Sequence, residues 1–246
     1  MNPGDHAGGS DRNAIAGKAK LMTARAFMVP ESVCLIIPQF NQVGLTLQAI
    51  RTLRKFDPVR WPIVVVDNGS SPDSIRQLHE LRDTAVQVLT QKQAGLTSAW
   101  NFAARRSQAD YLIFLNNDTL SSGPWVESLL APLRLGTAIV SGVATRREAQ
   151  LTAPVDLLSG WCFALRRETF VAVDGFDPAM QLYFSDTDFL LRVRERLVSG
   201  ATSKFVAVKG LPISHIGHAT AHQLPSQKSQ WQADRKAFLA RWQESR

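Results

Sequence analysis

The sequence predicts an α/β fold in which a mostly parallel sheet is flanked by helices. Short continuous apolar runs, such as PIVVVD at 62–67 and YLIFL at 111–115, alternate with stretches whose apolar residues have helical spacing. Runs of this kind are typical of parallel strands that are buried on both faces. The 246 residues, 45% of them hydrophobic and 20% charged, are enough for one globular domain of this class.

The first half of the chain alternates strands and helices, and local signals mark the boundaries. Pro38 stops the first strand. Ser71 can cap a helix in which Pro72 occupies the first turn. The predicted strands are 33–38, 62–67, 85–89 and 111–115, and the predicted helices are 44–56, 71–81 and 96–107.

The second half has a different character, and no internal repeat is visible in it. The segment 160–177 mixes a strand, a short helix and a turn. Gly200 closes a strong helical pattern. The other predicted elements are helices at 125–133, 185–200 and 229–242 and strands at 138–144 and 203–210.

The N-terminal segment and the charge of the chain say little about partners. Residues 1–30 are rich in Gly, Ala and small polar residues and are predicted to form a mobile tail. A basic helix at 14–28 would contact a membrane surface, but disorder is favoured there. The net charge of +7 is scattered along the chain, which argues against a nucleic acid partner. An anionic membrane, a phosphate-bearing substrate or a solvated surface would each explain it.

Three features favour a cytoplasmic protein. No apolar run approaches the roughly 18–20 residues that a membrane-spanning helix needs. The N-terminus lacks the pattern of a secretory signal. Cys34 and Cys162 both lie in apolar segments, and we interpret them as reduced core residues.

Polar or turn-forming segments follow all four predicted strands of the first half. In an open parallel sheet, ligands bind beyond the carboxyl ends of the strands. Asp67 and Asp118 each come directly at the end of a buried strand, so both carboxylates are candidate ligand groups. The four segments are 38–42, 67–74, 91–96 and 116–119.

Common nucleotide and hydrolase motifs are absent from the sequence. It has no Gly-x-Gly-x-x-Gly after the first strand, no ATP phosphate-binding loop and no Gly-x-Ser-x-Gly elbow. The carboxylates and imidazoles that remain suit Mn²⁺ or Mg²⁺ together with diphosphate oxygens. Asp186 would equally serve as a partner of a helix dipole, and the histidines as loop residues. These candidates are Asp118, Asp186, Asp188, His215 and His218.

Six segments occur in an order that matches a known family. They are CLIIPQFNQ, VVVDNGSSPDS, QAGLTSAWNFAARRSQADYLIFLNNDT, DLLSGWCFALRRETFVAVDGFDP, YFSDTDFLLRVRERLVSG and ISHIGHAT, and they span roughly residues 33–220. On these segments the chain resembles the family-2 glycosyltransferases, which have the GT-A fold. It is most similar to their rhamnosyltransferase-like branch, whose members build bacterial surface polysaccharide.

The resemblance implies a site made of two halves within one domain, 31–246. The half at 31–120 would bind a nucleoside diphosphate sugar, and Asp118 and His215 are similar to the family's ligands for Mn²⁺ or Mg²⁺. The amides Asn116 and Asn117 would bind sugar or ribose hydroxyls. The full set of implied donor-binding residues is Pro38, Phe40, Asn41, Asp67, Asn68, Ser70, Gly95, Asn101, Asn116 and Asn117.

The half at 121–246 would bind the acceptor and carry the catalytic base. Asp186 is similar to the family's base. Gly160 permits close backbone approach, and Trp161 offers a face for a sugar ring, although core packing is an equal explanation for that tryptophan. Asp188 is a further implied acceptor contact. Arg166 and Arg167 could meet an acceptor phosphate or simply be solvated.

The resemblance implies that a sugar moves to an acceptor hydroxyl with inversion, in surface polysaccharide or glycolipid synthesis. The acceptor would be a saccharide or a lipid-linked molecule, with peripheral contact at the inner face of the membrane. Thymidine- and uridine-linked donors are the first candidates.

Two departures from the family pattern keep an alternative open. Asn116 replaces the first carboxylate of the usual Asp-x-Asp, and Ser185 replaces a Glu. They slightly favour a non-catalytic nucleotide-sugar-binding module. A nucleotidyltransferase is a further alternative, but the PQFNQ segment at 38–42 lacks the Gly-rich basic loop that it needs.

Overall fold

The computed structural model of the protein describes residues 31–81, 83–152, 154–198, 204–217 and 227–243. The tail and basic helix predicted within 1–30, the helix end at Gly200 and the candidate His218 lie outside these residues.

The elements of the first half lie close to the predicted positions. Ser71 caps its helix as predicted, because its side chain accepts a hydrogen bond from the backbone of Ser74 at 3.4 Å. The strands are β1 (Val33–Gln39), β2 (Ile63–Asn68), β3 (Val86–Gln91), β4 (Tyr111–Leu115) and β5 (Thr119–Ser121), and the helices are α1 (Val43–Phe56), α2 (Pro72–His79) and α3 (Gly95–Arg106).

The second half contains shorter strands than predicted. The expected strands at 138–144 and 203–210 shrink to three residues each, because they pair with each other over only that length. The elements are α4 (Val126–Arg134), β6 (Val140–Gly142), β7 (Thr145–Glu148), β8 (Val155–Leu158), β9 (Cys162–Arg166), α5 (Arg167–Ala172), α6 (Ser185–Leu197), β10 (Phe205–Ala207), β11 (Ile213–His215) and α7 (Gln227–Trp242).

The central sheet has seven strands in the order β10-β6-β9-β4-β1-β2-β3. Strand β1 pairs in parallel with β2 and with β4, and β2 pairs in parallel with β3. Strand β6 pairs in parallel with β10. Strand β9 runs antiparallel to both of its neighbours, β4 and β6. The prediction of a mostly parallel sheet flanked by helices is confirmed.

Two small antiparallel strand pairs are separate from the central sheet. Strands β5 and β11 pair so that His215 lies opposite Thr119, the residue that follows Asp118. Strands β7 and β8 form a hairpin between Thr145 and Leu158. Strands of three or four residues are too short to give a periodic signal in a sequence, so the sequence pattern does not predict them.

Helices bury both faces of the sheet. One face carries an aromatic cluster in which Trp100, Phe114, Phe163, Phe176 and Phe189 contact one another at centroid distances of 4.5–6.3 Å. The other face is mostly aliphatic. This packing makes β4 and β9 rigid, and β4 leads directly to Asn116 and Asp118.

The two cysteines are buried and free, as predicted. Burial raises the pKa of the Cys162 thiol, so this side chain is held in its neutral form. In the described part of the chain, no helix combines the length and the apolar composition that a bilayer crossing requires.

Candidate active site

The carboxyl ends of the parallel strands open into a cavity of about 750 Å³. Its lining comes from the ends of β1, β2 and β4, from β7 and from the start of α6. This edge is where open α/β sheets bind ligands. The lining includes Pro38, Phe40, Asn68, Gly95, Asn116, Asn117, Asp118, Arg146, Glu148, Gly160, Trp161, Asp186, His215 and Gln230.

Asp118 and His215 meet at the end of β4. Asp118 is 4% exposed, and its Oδ1 lies 2.9 Å from Nε2 of His215. The imidazole ring stacks on Trp161 at a centroid distance of 5.1 Å, with the two planes only 6° apart. Nδ2 of Asn116 lies 3.2 Å from the same imidazole nitrogen. The pairing of β11 with β5 and the stacked indole therefore fix the histidine against the carboxylate.

The donor atoms of this pair fit a divalent ion. A carboxylate oxygen and an imidazole nitrogen are both ligand types that such ions accept, and Asp118 and His215 bring the two within 2.9 Å of each other. Within the described ranges, no group of three or more His, Cys, Asp or Glu side chains could hold a metal. Two protein ligands would therefore leave most positions to substrate oxygens and water, as is usual for Mg²⁺ sites.

The charges in the cavity support the same conclusion. Asp118, Glu148 and Asp186 are acidic, and Arg146 is the one Lys or Arg among the described residues that line the cavity. That arginine is already paired with two of the carboxylates. A diphosphate would need additional positive charge to bind here, and a divalent ion would supply it.

Asp186 lies in the first turn of α6, where its carboxylate faces the cavity. Its Oδ1 accepts a hydrogen bond from the backbone of Thr187 at 2.9 Å, and its Oδ2 lies 3.0 Å from Nη2 of Arg146. Arg146 also bonds to Glu148 at 3.1 Å. Burial opposes the charge of Arg146, but the two carboxylates outweigh it and raise the pKa of Arg146. The guanidinium therefore stays charged and holds Asp186.

Gly160 lies directly behind the carboxylate of Asp186. A Cβ atom at Gly160 would fall 2.2 Å from Oδ2 and 2.6 Å from Cγ of Asp186, well inside van der Waals contact. The sequence predicted that Gly160 would allow close approach of the acceptor, whereas the group that approaches it in the structure is the carboxylate of Asp186. Glycine is therefore required for Asp186 to occupy its present position.

Asn68 and Gly95 shape the loops after β2 and β3. The amide of Asn68 donates to the carbonyl of Gly95 at 3.2 Å and accepts from the backbone of Ala94 at 3.1 Å. Gly95 has a φ of +83°, and a Cβ there would lie 2.6 Å from Gln181. Both residues line the cavity together with Pro38 and Phe40.

Asp67, Ser70 and Asn41 lie behind this wall rather than in the cavity lining. Asp67 is fully buried and accepts hydrogen bonds from Nε2 of Gln39 at 3.3 Å and from the backbone of Ser70 at 3.2 Å. The hydroxyl of Ser70 accepts from the backbone of Asn41 at 2.9 Å. This network supports the end of β1, and none of the three residues is among those that line the cavity.

Asn101, which the sequence predicted as a donor contact, is not among the residues that line the cavity. Its amide nitrogen donates to the carbonyl of Phe176 at 2.8 Å, and its oxygen accepts from the backbone of Phe176 at 2.9 Å. A Cβ at Gly175 would lie 2.6 Å from the same oxygen. Asn101 therefore ties α3 to the turn that follows α5.

Asp188, which the sequence predicted as an acceptor contact, is a buried anchor and is not among the residues that line the cavity. It is fully buried, and its oxygens accept from Arg192 at 2.8 Å, Arg241 at 2.9 Å and Trp242 at 3.1 Å. It joins α6 to the end of α7. Residues two apart on a helix point in nearly opposite directions, so Asp186 faces the cleft while Asp188 faces the core.

Arg166 and Arg167 lie at the far end of β9. The first residue of β9 pairs with Leu115 at the cleft, whereas Arg166 pairs with Tyr111 at the opposite end. Arg166 lies 5.6 Å from the Tyr111 ring centroid, and Arg167 donates to the carbonyl of Ser107 at 3.0 Å. The antiparallel direction of β9 thus places Arg166 away from the cleft, and neither arginine is among the residues that line the cavity.

The sequence pattern missed four parts of the site. Arg146 and Glu148 belong to the unpredicted hairpin, and Gln230 belongs to α7. The segment Gln181–Tyr183 also lines the cavity, although it has no regular secondary structure. A cluster of charge at 146–148 is visible in the sequence, but nothing there indicates that it folds over Asp186.

The sequence profile described as Glycosyl transferase family 2 matches residues 34–187. An uncharacterized glycosyltransferase of Rickettsia bellii (strain RML369-C) is 28% identical over 99 residues, which are 39% of this chain and 14% of that protein. One of Rickettsia felis (strain ATCC VR-1525 / URRWXCal2) is 25% identical over 99 residues, or 39% of this chain and 16% of that protein. The matched segment is therefore a small part of these curated relatives.

Solved structures share the fold. The mannosyltransferase PcManGT of Pyrobaculum calidifontis, in complex with GDP-Man and Mn²⁺, has a TM-score of 0.63 at 16% identity, covering 86% of this chain and 64% of its own. Glucosyl-3-phosphoglycerate synthase of Mycobacterium tuberculosis, with Mn²⁺, UDP and glucosyl-3-phosphoglycerate, has a TM-score of 0.64 at 16% identity, covering 87% and 81%. At such identities the likeness establishes the GT-A fold alone.

The profile match spans more than half of the chain, and the residues that line the cleft from Pro38 to Asp186 fall within it. The fold of the solved structures agrees with this assignment. The chain belongs to glycosyltransferase family 2.

Proposed function

We propose that the protein is an inverting glycosyltransferase that moves a sugar from a nucleoside diphosphate sugar to an acceptor hydroxyl. One observation carries this proposal: Asp118 with His215, and Asp186, line a single cavity although they are far apart in sequence. The first two residues would hold the diphosphate through Mn²⁺ or Mg²⁺. The third would accept the acceptor's proton.

We propose Asp186 as the general base, because its carboxylate lines the cavity. An alcohol is a weak nucleophile at neutral pH, and a carboxylate that accepts its proton contributes roughly 10²–10⁴ in rate. The acceptor oxygen bonds to the anomeric carbon as the bond to the diphosphate breaks, and the proton passes to Asp186. A single displacement of this kind inverts the anomeric configuration and needs no protein nucleophile.

The diphosphate would leave on the side of Asp118. A divalent ion bound there would stabilise the negative charge that develops on the leaving group. Trp161 stacks on the His215 ring, and Asp118 is buried in the short turn between β4 and β5. The two ligands are thus preorganised, so little rearrangement would be needed when the donor binds.

The donor is proposed from the family and from relatives of the same fold. PcManGT was solved with GDP-Man, and the mycobacterial synthase with UDP, each with Mn²⁺. We propose a nucleoside diphosphate hexose or deoxyhexose, with thymidine- and uridine-linked sugars as first candidates, in keeping with the rhamnosyltransferase-like resemblance. Pro38, Phe40, Asn68 and Gly95 would contact it, supported from behind by Asp67 and its partners.

The acceptor would bind between Trp161 and Asp186. We propose a saccharide or a lipid-linked saccharide, in surface polysaccharide or glycolipid synthesis at the inner face of the membrane. Trp161 lines the cavity, so part of its indole is available to a sugar ring. Aromatic faces of this type bind the apolar faces of sugar rings.

A thermal-shift screen of nucleoside diphosphate sugars with Mn²⁺ tests this function. A ligand that binds only the folded state raises the melting temperature by mass action, so the true donor should stand out. The rise should vanish with a chelator and in Asp118→Ala. The proposal is wrong if no sugar nucleotide raises the melting temperature. It is also wrong if the melting temperature of Asp118→Ala rises as much as that of the wild type.

A non-catalytic nucleotide-sugar-binding module is the second candidate. The ion pair between Asp186 and Arg146, together with Asn116 and Ser185 in place of acids, favours it. Release of nucleoside diphosphate from the bound donor separates the two candidates. A transferase releases it catalytically with Mn²⁺, whereas a binding module releases none.

A further inference from the structure

Helix α7 carries a buried carboxylate that the proposed reaction does not use. Asp234 is 0% exposed, and its oxygens accept hydrogen bonds from the backbone N–H groups of Gln181, Leu182 and Tyr183 at 2.8–3.0 Å. Nε2 of Gln230, one turn earlier on α7, donates to the same carboxylate at 2.8 Å. Four amide donors therefore satisfy the negative charge of Asp234, and three of them belong to consecutive residues of one segment.

The segment that Asp234 holds forms one wall of the cleft. Gln181, Leu182 and Tyr183 all line the cavity. The carbonyl of Gln181 accepts a hydrogen bond from the backbone of Leu96 at 2.6 Å, at the start of α3. A Cβ at Gly95 would lie 2.6 Å from Gln181. The segment thus contacts the proposed donor side of the cleft as well.

Helix α7 also holds the next residue, Phe184. This residue has a φ of +60°, a left-handed conformation that is strained for a bulky side chain. Its ring lies 5.1 Å from Phe238 and 6.0 Å from Trp231, both on α7. Such a conformation persists only where the surroundings hold it. Asp186 follows two residues later, so α7 holds the turn that delivers it.

We propose that Asp234 is a positioning residue: by binding the backbone of 181–183, it fixes the turn that places Asp186 in the cleft. Helix α7 lies beyond the residues 34–187 that match the family model. The kinetic consequence rests on the proposed function, in which Asp186 is the base. The structural part of the proposal does not.

The test uses Asp234→Asn in the full chain, with Asp83→Asn as a matched control. Asparagine keeps the size of the side chain but turns one acceptor into a donor that faces backbone N–H groups, so the segment should be released. The side chain of Asp83 is 7% exposed and bonded to Arg54 at 2.7 Å, Arg60 at 2.9 Å and the backbone of Ala85 at 2.9 Å. It lies before β3, outside the cavity lining.

Limited proteolysis and hydrogen exchange test the structural part. Chymotrypsin should cleave after Tyr183 or Phe184 at least about tenfold faster in Asp234→Asn than in the wild type or Asp83→Asn, because local opening exposes the bonds. Equal cleavage rates would overturn the proposal. The wild type supplies a second test if the variant does not fold. Slow exchange of the amides at 181–183 supports the proposal, and fast exchange overturns it.

Steady-state kinetics tests the consequence, with Mn²⁺ and the sugar nucleotide that the thermal-shift screen identifies. At a temperature well below all melting points, kcat should fall about 100-fold in Asp234→Asn, as expected for a base displaced by about 1 Å. The donor KM should change less than about threefold, and Asp83→Asn should keep its kcat. An unchanged kcat in Asp234→Asn overturns the role. If the wild type turns over no sugar nucleotide, the proposed function fails, while proteolysis and exchange still decide whether Asp234 holds the segment.

Discussion

The guanidinium of Arg146 lies 3.0 Å from the carboxylate of Asp186, which joins the β7–β8 hairpin to the first turn of α6. The same side chain bonds to Glu148 at 3.1 Å, so one cation serves two carboxylates. Its side chain is 31% exposed, whereas that of Glu148 is only 5% exposed. The ion pair therefore fixes the orientation of Asp186 and leaves the carboxylate open to the cavity.

Arg146→Gln should destabilise the protein more than the same change at the neighbouring arginine. Removing the guanidinium leaves Glu148 and Asp186 without their cation. We expect a loss of about 1–3 kcal/mol, below the value for a fully buried pair because the site is partly exposed. Arg147 is the matched control, since its side chain is 64% exposed and its ion pair with Asp156 is long, at 3.5 Å. Arg147→Gln should change stability by less than about 0.5 kcal/mol. Urea denaturation measures both, and equal losses would contradict this account.

Gly160→Ala should reduce the turnover number strongly. The added Cβ would lie 2.2 Å from Oδ2 of Asp186, so the carboxylate must move. A displacement of about 1 Å costs about 100-fold in kcat. Gly44→Ala is the control, because a Cβ there has nothing within 4 Å and the residue lies in α1. It should keep full activity and gain up to about 1 kcal/mol in stability. Comparable kcat values for the two variants would show that Gly160 does not constrain Asp186.

Asp118→Ala should remove the effect of Mn²⁺ on donor binding. With one of two protein ligands lost, the dissociation constant of the donor in the presence of Mn²⁺ should rise at least about tenfold. His215→Ala should act in the same direction. Without metal, the wild type and both variants should bind the donor equally weakly. Isothermal titration calorimetry with and without Mn²⁺ measures this, and an unchanged manganese dependence in Asp118→Ala would exclude the assigned role.

Acid should weaken the fold partly through Asp83. Burial raises the pKa of this carboxyl, but the hydrogen bonds from Arg54 and the backbone of Ala85, together with the charges of Arg54 and Arg60, outweigh burial and leave the pKa below the usual 3.8. The folded state therefore binds the proton less readily than the unfolded state, so the stabilisation is present above about pH 4 and lost as the pH falls below it. Urea denaturation should show the stability difference between the wild type and Asp83→Asn shrinking from pH 5 towards about pH 3. A difference that stays constant with pH would contradict this.

The strands of the parallel core could be predicted because each is a continuous apolar run. In β1 and β4 every residue is buried, which is the arrangement that such a run indicates. The antiparallel direction of β9 could not be predicted, since an apolar run has the same composition in either direction. Because β9 runs antiparallel to β4, its first residue lies beside Leu115 at the cleft, and Arg166 lies beside Tyr111 at the opposite end.

The site residues at strand ends could be predicted because parallel strands deliver their carboxyl ends to one edge. Asp118 and Asn68 are found at that edge, but Asp67 turns into the wall because β2 alternates the direction of its side chains. Asp186 and Asp188 are two residues apart on α6, so their side chains point in nearly opposite directions. Arg146 and Asp234 depend on contacts between distant segments, for which a single sequence carries no signal.

The most direct test of the central claim is the rate of nucleoside diphosphate release by Asp186→Asn, measured together with donor affinity in the presence of Mn²⁺. If Asp186 is the base beside a metal-bound diphosphate, the rate should fall about 10²–10⁴-fold while the dissociation constant of the donor changes less than about threefold. Full activity in Asp186→Asn would contradict the account, as would a loss of donor binding large enough to explain the whole decrease in rate.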